Sequence, residues 1–120
     1  MARLSTHVLD TAHGEPARGV RLTLHRLDDV GRGGEVLVAE RITNQDGRTD
    51  APLLSGDTIP TGRYRITFHA GDYFRARGEP LPEPPFVDIV QLHFGIADAA
   101  GHYHVPLLVS PWSYSTYRGS

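Results

Sequence analysis

The sequence predicts an all-β domain, and three observations predict it. The chain has 13 Gly and 9 Pro in 120 residues, a composition that favours frequent turns and short strands over long helices. Several runs alternate strictly between apolar and polar residues, the period of a half-buried strand. Between those runs lie clusters of turn-forming residues. A chain of this length fits a single domain spanning residues 1–120, large enough to bury roughly two thirds of its unfolded surface in one core.

RLSTHVLD (3–10) reads as the first strand, with Leu4, Thr6 and Val8 on one face and Ser5, His7 and Leu9 on the other. After the turn signal His13-Gly14-Glu15-Pro16, VRLTLHRL (20–27) sets Val20, Leu22 and Leu24 against Arg21, Thr23 and His25. Turn residues at Gly31 to Gly34 precede a third strand, EVLVAERIT (35–43), and Asp46-Gly47 marks the next turn. RYRITFH (63–69) points Tyr64, Ile66 and Phe68 inward, and FVDIVQLHF (86–94) does the same with Val90, Leu92 and Phe94. Two segments, DTIPTG (57–62) and DYFRARG (72–78), could each hold a helical turn, the first shortened by Pro60 and the second ended by Gly78. Finally HYHVPLLVS (102–110) sets Tyr103, Val105, Leu107 and Val109 against His102, His104, Pro106 and Leu108.

Composition narrows the chemistry. A formal charge of -2 with scattered basic residues provides no footprint for nucleic acid. All 12 basic residues are Arg and there is no Cys, so lysine Schiff bases, thiol nucleophiles, thiolate zinc sites and disulfides are excluded. No stretch approaches the roughly 18 apolar residues of a membrane span, and MARLSTHVLD lacks a secretory signal's apolar run. The expectation is a soluble cytoplasmic protein with neither nucleic-acid nor membrane partners.

Strand parity then singles out three histidines. If Tyr103, Val105 and Leu107 occupy the core, His102 and His104 share the opposite face, and the same reasoning turns His7 outward. Pro106 cannot donate to a β-ladder, which places it at an edge or bulge and makes this outward face a surface for a partner subunit or ligand. His13, His25, His69 and His93 read as ordinary solvated residues. Three chemistries fit what is left: a three-His zinc site built on His102-Tyr103-His104, a Ser-His-Asp triad using Ser120 and His104, or water activated by His with Arg holding an anionic substrate.

The segments LSTHVLDTAHGEPARGV, TNQDGRTDAPLL, FHAGDYFRARG and HYHVPLLVSPWSYSTYRGS resemble the 5-hydroxyisourate hydrolases, the enzymatic branch of the transthyretin-like family, from Leu4 to Ser120. The closing Tyr-Arg-Gly-Ser is the specific part of the match, because it separates these hydrolases from the hormone-carrying transthyretins. The resemblance implies a two-sheet β-sandwich of about eight strands with one short helix. It further implies a homotetramer, a dimer of dimers with its sites in the channel between dimers, and the substrate 5-hydroxyisourate with no cofactor and no metal. Carried over by motif, the catalytic residues are His7, Arg48, His104 and Ser120, and the substrate is bound by His7, Arg48, Tyr117 and Arg118. His102 is a supporting residue, and His93 stands where many relatives carry Arg. In the chain's closing run Gly119 is expected to permit a bend that delivers the Ser120 carboxylate to the site. A non-catalytic transthyretin-like carrier of small ligands and a zinc-dependent cyclic amide hydrolase are the alternatives.

Overall fold

The computed structural model describes residues 1–27 and 34–119; the expected turn at Gly31 to Gly34 lies largely outside these residues, and Ser120 lies outside them altogether. Within them the chain forms β1 (Ala2–Asp10), β2 (Glu15–Pro16), β3 (Arg21–Leu27), β4 (Glu35–Ile42), β5 (Leu54–Gly56), β6 (Gly62–His69), α1 (Ala70–Ala76), β7 (Ile89–Ile96), β8 (His102–Val109) and β9 (Tyr114–Thr116). One sheet runs β2-β1-β8-β9, with β5 also paired to β1, and the other runs β4-β3-β6-β7. The all-β expectation holds, as a two-sheet sandwich with one short helix.

The alternating runs face as their parity requires. Leu4 and Val8 of β1, Leu107 and Val109 of β8, Leu22 and Leu24 of β3, and Ile66 and Phe68 of β6 fill one buried core between the sheets. Thr6 shares the core face of β1 but is not stranded there, because its hydroxyl donates to the Val105 carbonyl at 2.6 Å across to β8. Three departures have local causes. DTIPTG forms no helical turn, since Ile59 N–H bonds to the Ala99 carbonyl at 2.8 Å and the Ile59 side chain is buried. The strand expected from Phe86 starts only at Ile89, after Asp88 has given its carbonyl to Gly71 N–H and Val87 has bonded Pro111; Phe86 is left 76% exposed. The short strands β2, β5 and β9 carry too few residues to show a period.

The helix DYFRARG does form, extended back to Ala70, and Gly78 ends it with a positive φ of 86°. It serves to close a polar network under the first sheet. Asp10, fully buried at the end of β1, accepts from Tyr73 Oη at 2.8 Å, from His13 N–H at 3.0 Å and from the His13 ring at 2.7 Å. The other His13 ring nitrogen meets Glu79 at 2.8 Å, so this histidine is a structural tie rather than a solvated bystander. Burial alone pushes the Asp10 carboxyl upward, but the bonds from Tyr73 and His13 outweigh it and hold the group below the ordinary carboxylate value.

Because the folded value is depressed, Asp10 contributes stability above its unfolded pKa, and that contribution is lost as pH falls through the folded one. Asp10→Ala should lower unfolding free energy by about 1–3 kcal/mol, the range for leaving buried hydrogen-bond partners unsatisfied. The variant should also lose the wild type's decline in stability at acid pH attributable to this group. Urea unfolding at pH 7 and through the acid range well below 3.8 checks both; an Asp10→Ala protein as stable as wild type at pH 7 would contradict the assignment.

Candidate active site

The site is built on the parallel pairing of β1 with β8, in which Arg3 lies opposite His102, Ser5 opposite His104 and His7 opposite Pro106. Side chains at these positions leave the sheet on its outer face, away from the core. The register places the His104 ring between Ser5 and His7. His104 Nε2 lies 2.9 Å from His7 Nδ1, and His104 Nδ1 lies 2.7 Å from Ser5 Oγ. The two imidazoles stack with centroids 5.2 Å apart and planes 20° from parallel.

Arg48 reaches this pair through the free edge of β1. That edge is covered at one end by β5, paired to Ala2–Leu4, and at the other by β2, paired to Leu9 and Asp10. The interval between them is filled by the TNQDGR loop. Asn44 organises the loop, its side-chain oxygen accepting from Asp46 and Arg48 N–H while its own N–H bonds the Arg48 carbonyl at 2.8 Å. Gly47 then docks on β1: its carbonyl accepts from Val8 N–H at 2.8 Å, and Arg48 forms a bridge opposite His7. Glycine is required here twice over, by a φ of 72° and by the Val8 carbonyl, which would lie 2.4 Å from any Cβ.

Arg3, Ser5, Arg48, His102, Tyr103 and His104 line a cavity of about 190 Å³. Among the described residues its walls carry two guanidinium groups and no carboxylate. Burial, then the positive charge of Arg48, lowers the pKa of His7; burial, His7, Arg48 and Arg3 lower that of His104. Both rings are therefore neutral at pH 7, each with one N–H and one lone pair. The arrangement can take a proton, pass it between rings and stabilise a developing negative oxygen.

The chain's final run is tied to β8. Thr116 Oγ1 donates to the Pro106 carbonyl at 2.7 Å, and Gly119 N–H to the His104 carbonyl at 2.7 Å. The Arg118 guanidinium sits 4.2 Å from the centre of the Tyr103 ring. Gly119 makes no bend: it continues the β8–β9 register, without a positive φ, and what it supplies is room. A Cβ there would lie 2.8 Å from His104 Cδ2. Pro106 falls where the β8–β9 ladder is interrupted, between the Leu107–Thr116 pair and the His104–Gly119 bridge, so its missing N–H costs no ladder bond.

Of the residues singled out from sequence, His7, Arg48 and His104 meet on this face. Tyr117 and Arg118 instead line a second recess of about 230 Å³, with Leu92, Phe94, Tyr103 and Thr116. His102 is exposed and turns its ring toward the Met1 carbonyl. Among the described residues no group of three or more His, Cys, Asp or Glu is placed to hold a metal, so the three-His set does not assemble. Among the same described residues no Asp is hydrogen-bonded to His104, whose Nδ1 is taken by Ser5. Ser5 and Arg3 are the residues that sequence reasoning missed; the parity that turned His7 outward turned them outward too.

Proton titration of the ring resonances tests the electrostatics directly. His7 and His104 should both titrate below 6.5. Removing a neighbouring positive charge favours the imidazolium, so Arg48→Ala should move both upward. Unmoved values would show that Arg48 does not act on the pair.

Comparison with known proteins places these observations. The model of the HIUase/Transthyretin family matches residues 4–119. A 5-hydroxyisourate hydrolase of Pseudomonas aeruginosa is 58% identical over 120 residues, covering 100% of this chain and 93% of that protein. The solved 5-hydroxyisourate hydrolase of Klebsiella pneumoniae superposes with a TM-score of 0.79 at 36% identity, covering 100% of both chains. The crystal structure of (S)-allantoin synthase gives 0.90 at 49% identity over 99% of this chain, which spans only 44% of that longer one. On its sequence, its sandwich and the full extent of these matches, the chain belongs to the HIUase/Transthyretin family.

Proposed function

We propose that this chain is a 5-hydroxyisourate hydrolase of urate degradation, adding water across a ring C–N bond of that cyclic ureide to give 2-oxo-4-hydroxy-4-carboxy-5-ureidoimidazoline. The observation that carries this reading is the hydrogen-bonded, stacked His7–His104 pair beside Arg48, with His104 and Arg48 lining one small cavity. The full-length likeness to proteins named 5-hydroxyisourate hydrolase supports it.

In the proposed reaction the His7–His104 pair removes a proton from the attacking water. The water oxygen bonds to the ring carbonyl carbon, the C–N bond breaks, and the proton goes to the departing nitrogen. The Arg48 guanidinium, always charged and rigid, stabilises the carbonyl oxygen as it turns anionic. Ser120 completes the catalytic set, with Tyr117 and Arg118 binding substrate, as the Tyr-Arg-Gly-Ser match implies. No cofactor enters this reaction. A site lodged between subunits is consistent with Tyr117 and Arg118 lying apart from the His pair within one chain.

The assembly proposed is a homotetramer. Two features support it: among the described residues β7 and β9 end their sheets with unpaired edges, and Ile89, Trp112, Tyr114 and Tyr117 leave large apolar surfaces at least half exposed. The location proposed is the cytoplasm; among the described residues no helix is long and apolar enough to cross a membrane.

Loss of freshly generated 5-hydroxyisourate, followed by ultraviolet absorbance, tests the function. His7→Ala, Arg48→Ala and His104→Ala should each lower kcat/KM by about a hundredfold or more, while His25→Ala should leave it unchanged. Because both ring values are lowered, activity should stay level through neutrality and fall only below 6.5, as the base becomes protonated. A carrier would bind without turnover.

The tail yields a separate prediction. Gly119→Ala must displace the His104 ring, and should reduce kcat/KM by about tenfold while costing only about 1–3 kcal/mol of stability. Wild-type turnover with alanine at this position would sever the tail from the chemistry.

A further inference from the structure

We propose that Ser5 is a positioning residue of this site, the group that keeps the base-competent tautomer of the His104–His7 pair accessible. The proposal rests on the functional reading above and deepens it. Its basis is one line of contacts: Ser5 Oγ at 2.7 Å from His104 Nδ1, and His104 Nε2 at 2.9 Å from His7 Nδ1. Both nitrogens of His104 are engaged, and among the described residues His7 Nε2 has no hydrogen-bond partner, which leaves it for a reactant.

Two neutral imidazoles in series have two arrangements. In one, His7 Nδ1–H donates to His104 Nε2, His104 Nδ1–H donates to Ser5 Oγ, and His7 Nε2 carries a lone pair. In the other, Ser5 Oγ–H donates to His104 Nδ1, His104 Nε2–H donates to His7 Nδ1, and His7 Nε2 carries a proton. The first form takes a proton from water at His7 Nε2 and becomes a cationic pair, which gives that proton to the departing nitrogen and is neutral again. The second form has no lone pair at His7 Nε2 and cannot begin this sequence.

The partner of His104 Nδ1 decides whether both forms are accessible. A carboxylate only accepts, and would hold Nδ1 permanently as N–H. The same protein contains that alternative at His13, whose ring nitrogens face Asp10 at 2.7 Å and Glu79 at 2.8 Å. A hydroxyl both accepts and donates, so Ser5 satisfies His104 in either arrangement. Alanine at position 5 would satisfy it in neither. Nδ1 would then keep its lone pair, the preferred state of a neutral imidazole, and Nε2–H would point at His7. That arrangement fixes a proton on His7 Nε2, the wrong form for a base.

The parallel register explains why position 5 and no other can do this. Ser5 stands directly opposite His104, on the same outer face, and lines the same cavity as Arg48. It is held by β1, with Leu4 and Thr6 on either side anchored in the core, so its reach to His104 does not depend on a loop.

The test compares the wild type, Ser5→Ala and Ser5→Thr in the full chain labelled with 15N-histidine. Nitrogen chemical shifts at pH 7.5 should report both His104 tautomers in exchange for the wild type and for Ser5→Thr, and a single Nε2–H tautomer for Ser5→Ala. In the ultraviolet assay Ser5→Ala should lower kcat by about tenfold or more with KM within about twofold, and Ser5→Thr should restore kcat, the pattern of a lost transition-state contribution rather than lost binding. Unchanged tautomers, or wild-type kcat in Ser5→Ala, overturns the proposal. If the wild type does not hydrolyse 5-hydroxyisourate, the functional reading falls, and the tautomer measurement still decides the role of Ser5.

Discussion

The parallel pairing of β1 with β8 is the constraint on which the rest of the site depends. These strands lie almost a whole chain apart in sequence, and their register sets Ser5 against His104 and His7 against Pro106. A slip of β1 by one residue would turn Ser5 and His7 to the core face and bring Leu4 and Val8 out of it. The apolar core therefore enforces the polar site. Leu4, Val8, Leu107 and Val109 are buried on one face because Ser5, His7 and His104 are on the other. Thr6 adds a direct hydrogen bond to Val105 within the core, pinning the register where the histidines need it.

Around that pairing, backbone segments arrive where a side chain would obstruct. Gly47 presses against the Val8 carbonyl so that Arg48 lies opposite His7, and Gly119 presses against the His104 ring so that the chain's end can lie along β8. These are different uses of one residue. Gly47 needs both an unusual φ and close approach, whereas Gly119 is extended and needs close approach alone. In both places an added Cβ would strike an atom of the strand pair that carries the histidines.

The protein handles its two buried histidine contacts in opposite ways. At Asp10, a carboxylate with no exposure, His13 and Tyr73 supply donors that keep the charge in place. At His104, burial first, then the second imidazole and the arginines, disfavour a charge on the ring. The first arrangement is static and belongs to the end of β1 and to α1. The second leaves a proton free to move, and it lies on the strand face that the core does not use.

Much of this was legible in the sequence because strands expose their periodicity. Alternation alone assigned the core faces of β1, β3, β6 and β8 and turned His7 and His104 outward, since one face of a pleated strand must be apolar when it is buried. Motif likeness added Arg48 and the closing Tyr-Arg-Gly-Ser. Tertiary structure decided the rest. No periodicity announces that β1 runs parallel to β8, that a loop from residues 44–48 fills the gap between β2 and β5, or that Ser5 is the neighbour of His104. Those facts are matters of register and distance between segments far apart in the sequence. Single-strand patterns encode which way a side chain points; only the packed sheets determine what it meets.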